Sequence, residues 1–169
     1  VPFAQVVQES LDLLAGSFEA RNILVEIRKD LPVIYGDHKR LVEVMQNLLG
    51  NAVKFLGNQP APQIEIGSDG PAEEGMATLF VRDNGIGIDP AYHQQIFGVF
   101  KRLHGRQIPG TGIGLAICQR VVERLGIGLQ RVVVAACRHQ QHTEVALHAG
   151  LPASVAGGLR QRQRLGVEA

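Results

Sequence analysis

The sequence contains no tryptophan, and aromatic residues make up only 5% of its 169 residues. Modules that bind single-stranded nucleic acid stack the bases on aromatic side chains, so this scarcity argues against such a module. The charge is also balanced, with 17 basic and 16 acidic residues. A balanced chain lacks the basic field that holds a polyanion, so nucleic acid is not an expected partner.

Cysteine and long apolar runs are scarce as well. Cys118 and Cys137 are the only two cysteines, which excludes a disulfide-stapled scaffold and a four-cysteine zinc site. No apolar run approaches the ~20 residues that cross a membrane, and the first residues show an amphipathic pattern with acids rather than a signal peptide. We therefore expect a cytoplasmic domain without direct membrane contact. Because residue 1 is Val, we also expect a fragment of a longer protein.

The order of predicted elements indicates an α+β fold. Apolar residues at helical spacing predict three helices, at residues 3–20, over about 18 residues after the N-cap Asp37, and at residues 112–125. Alternating apolar residues predict strands at 23–27, 64–66 and 78–82, and two final strands on either side of residues 138–142. This order predicts a two-layer α/β sandwich over residues 1–152, with helices on one face of a mixed, mostly antiparallel sheet. Residues 153–169 form a basic tail that we expect to be disordered or frayed.

Three connections carry predictions of their own. Residues 68–75 are polar, contain glycine and proline, and predict a hairpin. Asp89 and Pro90 fit an N-cap followed by proline at the first helical position, and predict a short helix that ends near Phe97. Residues 98–111 contain glycines and basic side chains, so we expect a mobile loop there.

One face of the long second helix is polar. Glu43, Asn47, Asn51 and Lys54 follow one another at spacings of four, four and three residues, which places them on one side, opposite the apolar stripe. An asparagine carbonyl oxygen is a hard ligand that suits Mg²⁺, and lysine supplies a point charge for phosphate oxygens. Taken alone, the pattern favours a solvated helix face.

Two glycine motifs follow. In the first, a strand delivers Asp83 to its end, and Gly85 and Gly87 come directly after it. A carboxylate there could accept a hydrogen bond from an exocyclic amine such as adenine N6, and glycines allow close approach and positive φ. The same residues are also typical of a hairpin turn.

The second glycine motif, residues 110–115, opens the last predicted helix. Exposed N–H groups at a helix N-terminus form an anion site. A dinucleotide fingerprint would need a strand just before these glycines, whereas here a basic loop precedes them. A Walker-type phosphate loop is excluded because no Gly-Lys-Ser/Thr follows.

Together, these motifs are far more specific than any one of them. In this order they resemble the N, G1, F and G2 boxes of the catalytic, ATP-binding domain of sensor histidine kinases, in the GHKL superfamily. The resemblance covers residues 1–127, and the stretch from Phe97 to Arg124 looks most like the kinase modules of phytochrome-like sensor kinases. The four boxes are carried by Asn47, Asn51 and Lys54, by Asp83, Gly85 and Gly87, by Phe97 and Phe100, and by Gly110, Thr111, Gly112 and Gly114.

The resemblance implies a site for ATP and Mg²⁺. It makes Asn51 the metal ligand and Asn47 a support for the phosphates and the metal, and it implies that Lys54 reaches phosphate oxygens. It also implies catalytic roles for Asn47 and Lys54, and for Lys101 and Arg102, which would touch the γ-phosphate from a lid. The implied nucleotide contacts further include Phe55, Asp83, Gly85, Gly87 and Ile88 around the base, and Thr111, Gly112, Gly114 and Leu115 along the phosphate chain.

The position of Asn47 separates the subclasses of the superfamily. Chaperone, gyrase and mismatch-repair members carry a glutamate there that activates water, but an amide cannot act as a base at neutral pH, so we expect slow ATP hydrolysis. By resemblance, the phosphoryl group passes to a histidine on a separate dimerisation hairpin of the parent kinase, and then to a response regulator receiver domain. None of the six histidines is followed by a carboxylate, as the acceptor histidine of the family is. The isolated chain is therefore expected not to autophosphorylate.

Two alternatives stay open. A serine kinase or anti-sigma regulator of the same superfamily would carry glutamate at the position of Asn47, which counts against it. A degenerate, non-catalytic ATP-sensing or interaction module is the other alternative. It is kept open by residues 129–142, which depart from the pattern of the family.

Overall fold

The computed structural model describes residues 1–72, 76–93, 95–100, 111–124, 133–137 and 142–150. Within these residues lie three α-helices, one short 3-10 helix at Pro90–Tyr92, and five strands. The helices are α1 (Phe3–Ala20), α2 (His38–Phe55) and α3 (Gly114–Arg124), and the strands are β1 (Leu24–Ile27), β2 (Gln63–Ala72), β3 (Met76–Asp83), β4 (Val133–Cys137) and β5 (His142–Gly150).

The observed bounds of helix α2 agree with the capping signals in its sequence. The side chain of Asp37 accepts a hydrogen bond of 2.9 Å from the backbone N–H of Arg40, which confirms the predicted N-cap. After the helix, Gly57 takes a φ of +65°, the left-handed conformation in which many helices end. The helix has the predicted 18 residues, and α1 also has its predicted bounds.

The five strands form one sheet in the order β1-β2-β3-β5-β4. Strand β1 pairs with β2 in parallel, and the other neighbours pair antiparallel. The helices cover one face of this sheet, where the apolar side chains of β2 and β3 join the core residues of α1, α2 and α3. The predicted fold class is therefore confirmed. The sheet residues buried in this core are Ile64, Ile66, Leu79 and Val81.

A small second cluster lies on the opposite face of the sheet. Phe80 alternates with the core residues of β3 and so points away from the helices, yet it is only 1% exposed. The guanidinium groups of Arg28 and Arg82 cover its ring, at 5.0 Å and 4.7 Å from the centroid. Glu65 binds both arginines, at 2.7 Å and 2.8 Å. Below the ring, a Cβ added to Gly67 would lie 2.6 Å from Cζ of Phe80.

Two predicted connections differ in part from the structure. The predicted hairpin is present, because β2 pairs antiparallel with β3, but β2 continues through residues 68–72, which the sequence did not predict as strand. The polar composition concealed this pairing, and a register shift between Asp69 and Pro71 accommodates the proline, which cannot donate to the ladder. The predicted helix from Pro90 to Phe97 is only the 3-10 helix, with turns after it in which Tyr92 O accepts from the amides of Gln95 and Ile96.

The last two strands are present and extend the sheet. Strand β5 pairs with all of β3, from Thr143 to Gly150, and β4 adds the edge, with Cys137 opposite His142. The tail predicted for residues 153–169 lies outside the described residues and stays a prediction. In the part of the chain that the structure describes, no helix combines the length and apolar character that a membrane crossing would need.

Candidate functional site

The polar face of α2 meets the first residue of α3. A Cβ added to Gly114 would lie 2.9 Å from Oδ1 of Asn47 and 3.9 Å from Nδ2 of Asn51. The Nδ2 group of Asn47 donates a 2.9 Å hydrogen bond back to the carbonyl of Glu43, which turns Oδ1 towards α3. The two predicted motifs, far apart in sequence, are thus in contact through Gly114.

This contact creates a corner suited to an anion and a cation together. The first N–H groups of a helix have no partner within it, and the helix dipole makes its N-terminus attractive to negative charge. Gly112, with a φ of +71°, turns the chain into α3. The half-buried Asn47 and Asn51 add amide oxygens beside these donors. Phosphate oxygens and a hard cation are the groups that such a corner fits.

The last turn of α2 carries the predicted lysine and aromatic residue. Nζ of Lys54 lies 5.0 Å from the centre of the Phe55 ring, a cation–π distance. Both side chains are half-buried. At the start of α3, Leu115 packs its side chain against the hydrophobic core, so its backbone N–H is the group it can offer to a phosphate.

Asp83 lies at the end of β3, where its carboxyl is only 5% exposed. Its Oδ1 accepts a 2.9 Å hydrogen bond from the backbone N–H of Gly85. Burial raises the pKa of this carboxyl to about 6, and the hydrogen bond from Gly85 opposes only part of that effect. At neutral pH the group is therefore a charged acceptor in a poorly solvated position, which is suited to bind an amine of a flat ligand.

The loop after Asp83 is fixed from two sides. The side chain of Asn84 accepts from the amide of Gln63 at 3.0 Å and donates to the carbonyl of Ala61 at 2.8 Å, which ties the loop to the entry of β2. The amide of Ile86 donates to the carbonyl of Phe55 at 2.9 Å, which ties it to the end of α2. Sequence reasoning missed Asn84, although the tendency of asparagine to bond nearby backbone is the signal that could have found it.

The two glycines of this loop are required for different reasons. Gly85 lies flat against the end of α2, and a Cβ there would lie 2.9 Å from Cα of Leu56 and would overlap the carbonyl of Phe55. Gly87 has open space around it but a φ of +72°, which other residues rarely adopt. The half-buried Ile88 follows, and its carbonyl lies 3.2 Å from Nε2 of His93.

The remaining predicted residues are placed only in part. Thr111 is exposed, and the carbonyl of Gly112 accepts a 3.0 Å hydrogen bond from the amide of Phe100. Lys101, Arg102 and Gly110 lie outside the described residues, so their predicted roles stay predictions. Among the residues that are described, no group of three His, Cys, Asp or Glu side chains could hold a metal ion. Mg²⁺ that keeps waters and phosphate oxygens does not need such a group.

Sequence comparison matches residues 36–153 to the family described as histidine kinase-, DNA gyrase B-, and HSP90-like ATPase. The chain is 38% identical over 121 residues to the methanogenesis regulatory histidine kinase FilI of Methanothrix harundinacea, covering 72% of this chain and 13% of FilI. It is 39% identical over 120 residues to the phytochrome-like protein Cph1 of Synechocystis sp., covering 70% of this chain and 16% of Cph1. The chain thus spans a small part of the relatives it matches.

Solved structures agree with these relatives. The mycobacterial sensor histidine kinase MprB superposes with a TM-score of 0.74 at 29% identity, over 90% of this chain and 98% of that chain. Full-length ShkA in complex with AMPPNP superposes with a TM-score of 0.69 at 24% identity, over 88% of this chain and 30% of that chain. At that identity ShkA supports the fold alone.

The resemblance noted from the motifs is confirmed, including its phytochrome-like character, because the relatives are histidine kinases and phytochrome-like proteins. The family match covers more than half of the residues, and it includes α2, the loop after Asp83 and α3. The chain therefore belongs to the histidine kinase-, DNA gyrase B-, and HSP90-like ATPase family.

Proposed function

We propose that this chain is the ATP-binding catalytic domain of a sensor histidine kinase. One observation carries the proposal: helix α2 joins two half-sites of different chemistry. Its polar face meets the N-terminus of α3 at Asn47 and Asn51, and its C-terminal end seats the loop that follows the buried Asp83. A nucleoside triphosphate has the same two ends, a polyanionic chain that carries a metal and a flat base that carries an amine.

The residues fit the metal and the nucleotide in type. Asn51 would offer an amide oxygen to Mg²⁺, and Asn47 would support the phosphates beside it. Lys54 would contribute charge to the phosphate chain, together with the backbone of Thr111, Gly112, Gly114 and Leu115 at the start of α3. Asp83 would accept from the adenine amine, with Phe55, Gly85, Gly87 and Ile88 around the base. Lys101 and Arg102 would complete the site at the γ-phosphate.

The chemistry of the site favours transfer to a protein over hydrolysis. Bound Mg²⁺ would supply charge neutralisation, and phosphoryl transfer otherwise depends mainly on positioning. Asn47 occupies the place of a water-activating glutamate, but an amide cannot accept a proton at neutral pH. The acceptor would be a histidine on a separate dimerisation hairpin of the parent kinase, and a receiver domain of a response regulator would take the phosphoryl group from there.

Calorimetric titration with ATP, with and without Mg²⁺, tests the nucleotide site. Asp83→Ala removes one charged hydrogen bond in a buried pocket, so ATP affinity should fall about 10- to 150-fold. Asn51→Ala should remove the dependence of affinity on Mg²⁺. Asp12→Ala, which alters an exposed carboxylate of α1 that contacts only Gln8 among the described hydrogen bonds, is the matched control and should bind as wild type does.

Two outcomes would contradict the proposal. If folded wild-type protein shows no saturable ATP binding, the domain is a degenerate interaction module of the same fold. If the isolated chain forms acid-labile phosphohistidine, the acceptor is not on a separate hairpin. Incubation with radiolabelled ATP, alone and with the acceptor hairpin of a related kinase added, measures the second point directly.

A further inference from the structure

Arg21 connects the end of α1 to the end of α2. It is the exposed C-cap residue of α1, and its guanidinium donates two hydrogen bonds to backbone carbonyls. Nη1 donates to the carbonyl of Val53, and Nη2 donates to the carbonyl of Gly57 at 2.7 Å. These partners lie 32 and 36 residues away in sequence. Both partners are backbone carbonyls, so no pattern of residue types in the sequence predicts this contact.

The position of this guanidinium suits a helix end. The last four carbonyls of a helix have no partner within it, and the C-terminus carries partial negative charge that attracts a cation. Val53 lies in the last turn of α2, and Gly57, with its φ of +65°, is the residue at which the chain leaves the helix. The planar fork of an arginine can bind both carbonyls at once. Arg21 therefore fixes the geometry of the turn where α2 ends.

The same turn also contacts the loop that follows Asp83. The carbonyl of Phe55 accepts the amide of Ile86 at 2.9 Å, and a Cβ on Gly85 would lie 2.9 Å from Cα of Leu56. A Cβ on Gly57 would lie 2.8 Å from Cγ2 of Ile86, so these residues are in close contact. Gly85 in turn donates the hydrogen bond that orients the carboxylate of Asp83.

We infer that Arg21 is a positioning residue for the base pocket. It holds the C-terminal turn of α2, this turn holds residues 84–87, and Gly85 of that loop sets the direction of the Asp83 carboxylate. The inference rests on the proposed nucleotide site, because it assigns Arg21 a role in how that site recognises the base. Arg21 itself is exposed, and it is not expected to touch the nucleotide.

Hydrogen exchange of the unliganded protein tests whether Arg21 holds residues 84–87 in place. In Arg21→Ala the amide of Ile86, which is bonded to Phe55, should exchange faster, together with its neighbours in residues 84–87. Amides in the middle of α1 should exchange as in wild type. Arg21→Lys should give an intermediate rate, because a single ammonium lacks the planar fork. Arg28→Ala alters another exposed arginine, on the far face of the sheet, and serves as the matched control.

Titrations with ATP, GTP and inorganic tripolyphosphate test whether Arg21 affects recognition of the base. GTP carries an oxygen where ATP carries the amine, so the ratio of the two affinities reports on how well Asp83 is placed. Residues that act through another site change affinity by about 2- to 30-fold. We expect Arg21→Ala to weaken ATP binding by that factor. The ratio of the affinities for ATP and GTP should also move closer to one. Tripolyphosphate affinity should not change, since the corner at Asn47 and Gly114 is intact.

Three results would overturn the inference. Unchanged exchange at Ile86 would show that Arg21 does not hold the loop. An unchanged ATP:GTP ratio despite faster exchange, or an equal loss of ATP and tripolyphosphate affinity, would show a general structural role. If wild-type protein binds neither ATP nor GTP, the proposed nucleotide site itself is wrong. That outcome is distinct, because the exchange experiment does not need a nucleotide.

Discussion

Gly114 of α3 approaches Asn47 of α2 so closely that a Cβ on the glycine would lie 2.9 Å from Oδ1 of the asparagine. No other residue type would allow the N-terminus of α3 to lie this near to the amide face of α2 without a shift. The corner proposed to hold the phosphates and Mg²⁺ therefore depends on the absence of one methyl group.

Gly114→Ala should displace the amide of Asn47 and weaken the binding of Mg-ATP. Overpacking of a close contact costs about 1–3 kcal/mol, which the better helix propensity of alanine offsets only in part. Gly50→Ala is the matched control, because Gly50 lies inside α2 with no atom within 4 Å of an added Cβ. That variant should raise the free energy of unfolding by about 0.5–1 kcal/mol. Thermal unfolding and ATP titration of both variants check this, and equal behaviour of the two would contradict it.

ATP binding should depend on the charge of Asp83. Because the pKa of Asp83 is raised to about 6, the carboxyl is protonated below that pH and loses its strength as an acceptor. Below pH 6, ATP affinity should therefore fall, by up to about tenfold for each further unit. Asp83→Asn should lack this component, so the difference between the two pH profiles isolates Asp83 from the titration of the ATP phosphates. If ATP affinity depends on pH in the same way in wild type and in Asp83→Asn, Asp83 is not the titrating acceptor.

The same carboxyl should lower the stability of the unliganded protein at neutral pH. Its pKa lies higher in the folded than in the unfolded chain, so the folded state binds the proton more tightly. The contribution of this carboxyl to the free energy of unfolding is therefore greatest below its ordinary pKa near 4. It falls as the pH rises towards 6. Asp83→Asn should raise the melting temperature at pH 7.5 more than at pH 4.5, which calorimetry without nucleotide measures. A larger gain in melting temperature at pH 4.5 than at pH 7.5 would contradict the prediction.

Phe80 should stabilise the fold without affecting the nucleotide. Its ring is buried under Arg28 and Arg82 on the face of the sheet opposite the helices. Phe80→Ala should lower the free energy of unfolding by about 3–5 kcal/mol, whereas Leu13→Ala, at a leucine that is 59% exposed, should change it by less than about 0.5 kcal/mol. Urea unfolding measures both. Weaker ATP binding by the folded Phe80 variant would contradict this separation.

Gly67 and Phe80 should behave as a coupled pair. A Cβ on Gly67 would lie 2.6 Å from Cζ of Phe80, so Gly67→Ala should be destabilising in wild type. The same substitution in a Phe80→Leu background should cost clearly less, because the shorter side chain leaves room. A double-mutant cycle by urea unfolding gives the coupling energy, and strict additivity would show that the ring and the glycine do not compete for space.

Sequence reasoning predicted α1, α2 and the Asp37 cap because these features are local. An apolar stripe of helical period and a carboxylate at the cap position need only neighbouring residues. The resemblance to a family also implied that residues of α2 and residues at the start of α3 belong to one site for ATP. Spacing alone could not have shown that Gly114, rather than a charged residue, makes the contact with Asn47.

The contacts missed by sequence reasoning are those between distant backbone and a side chain. Arg21 and Asn84 bind carbonyl and amide groups that every residue possesses, so their partners leave no trace in composition. The pairing of β2 beyond Gly67 was missed for a related reason. Backbone pairing holds the residues after Ser68 in the sheet, whereas Asp69, Gly70 and Pro71 are residue types that are typical of a loop.

The hydrogen bond between the Phe100 amide and the Gly112 carbonyl, at 3.0 Å, joins two residues that are twelve positions apart in sequence. When the ends of a segment are held together, the entropy of closing it grows only with the logarithm of its length, and doubling that length costs roughly 0.6 kcal/mol. Insertions or deletions between these two residues should therefore change the free energy of unfolding of the domain only slightly.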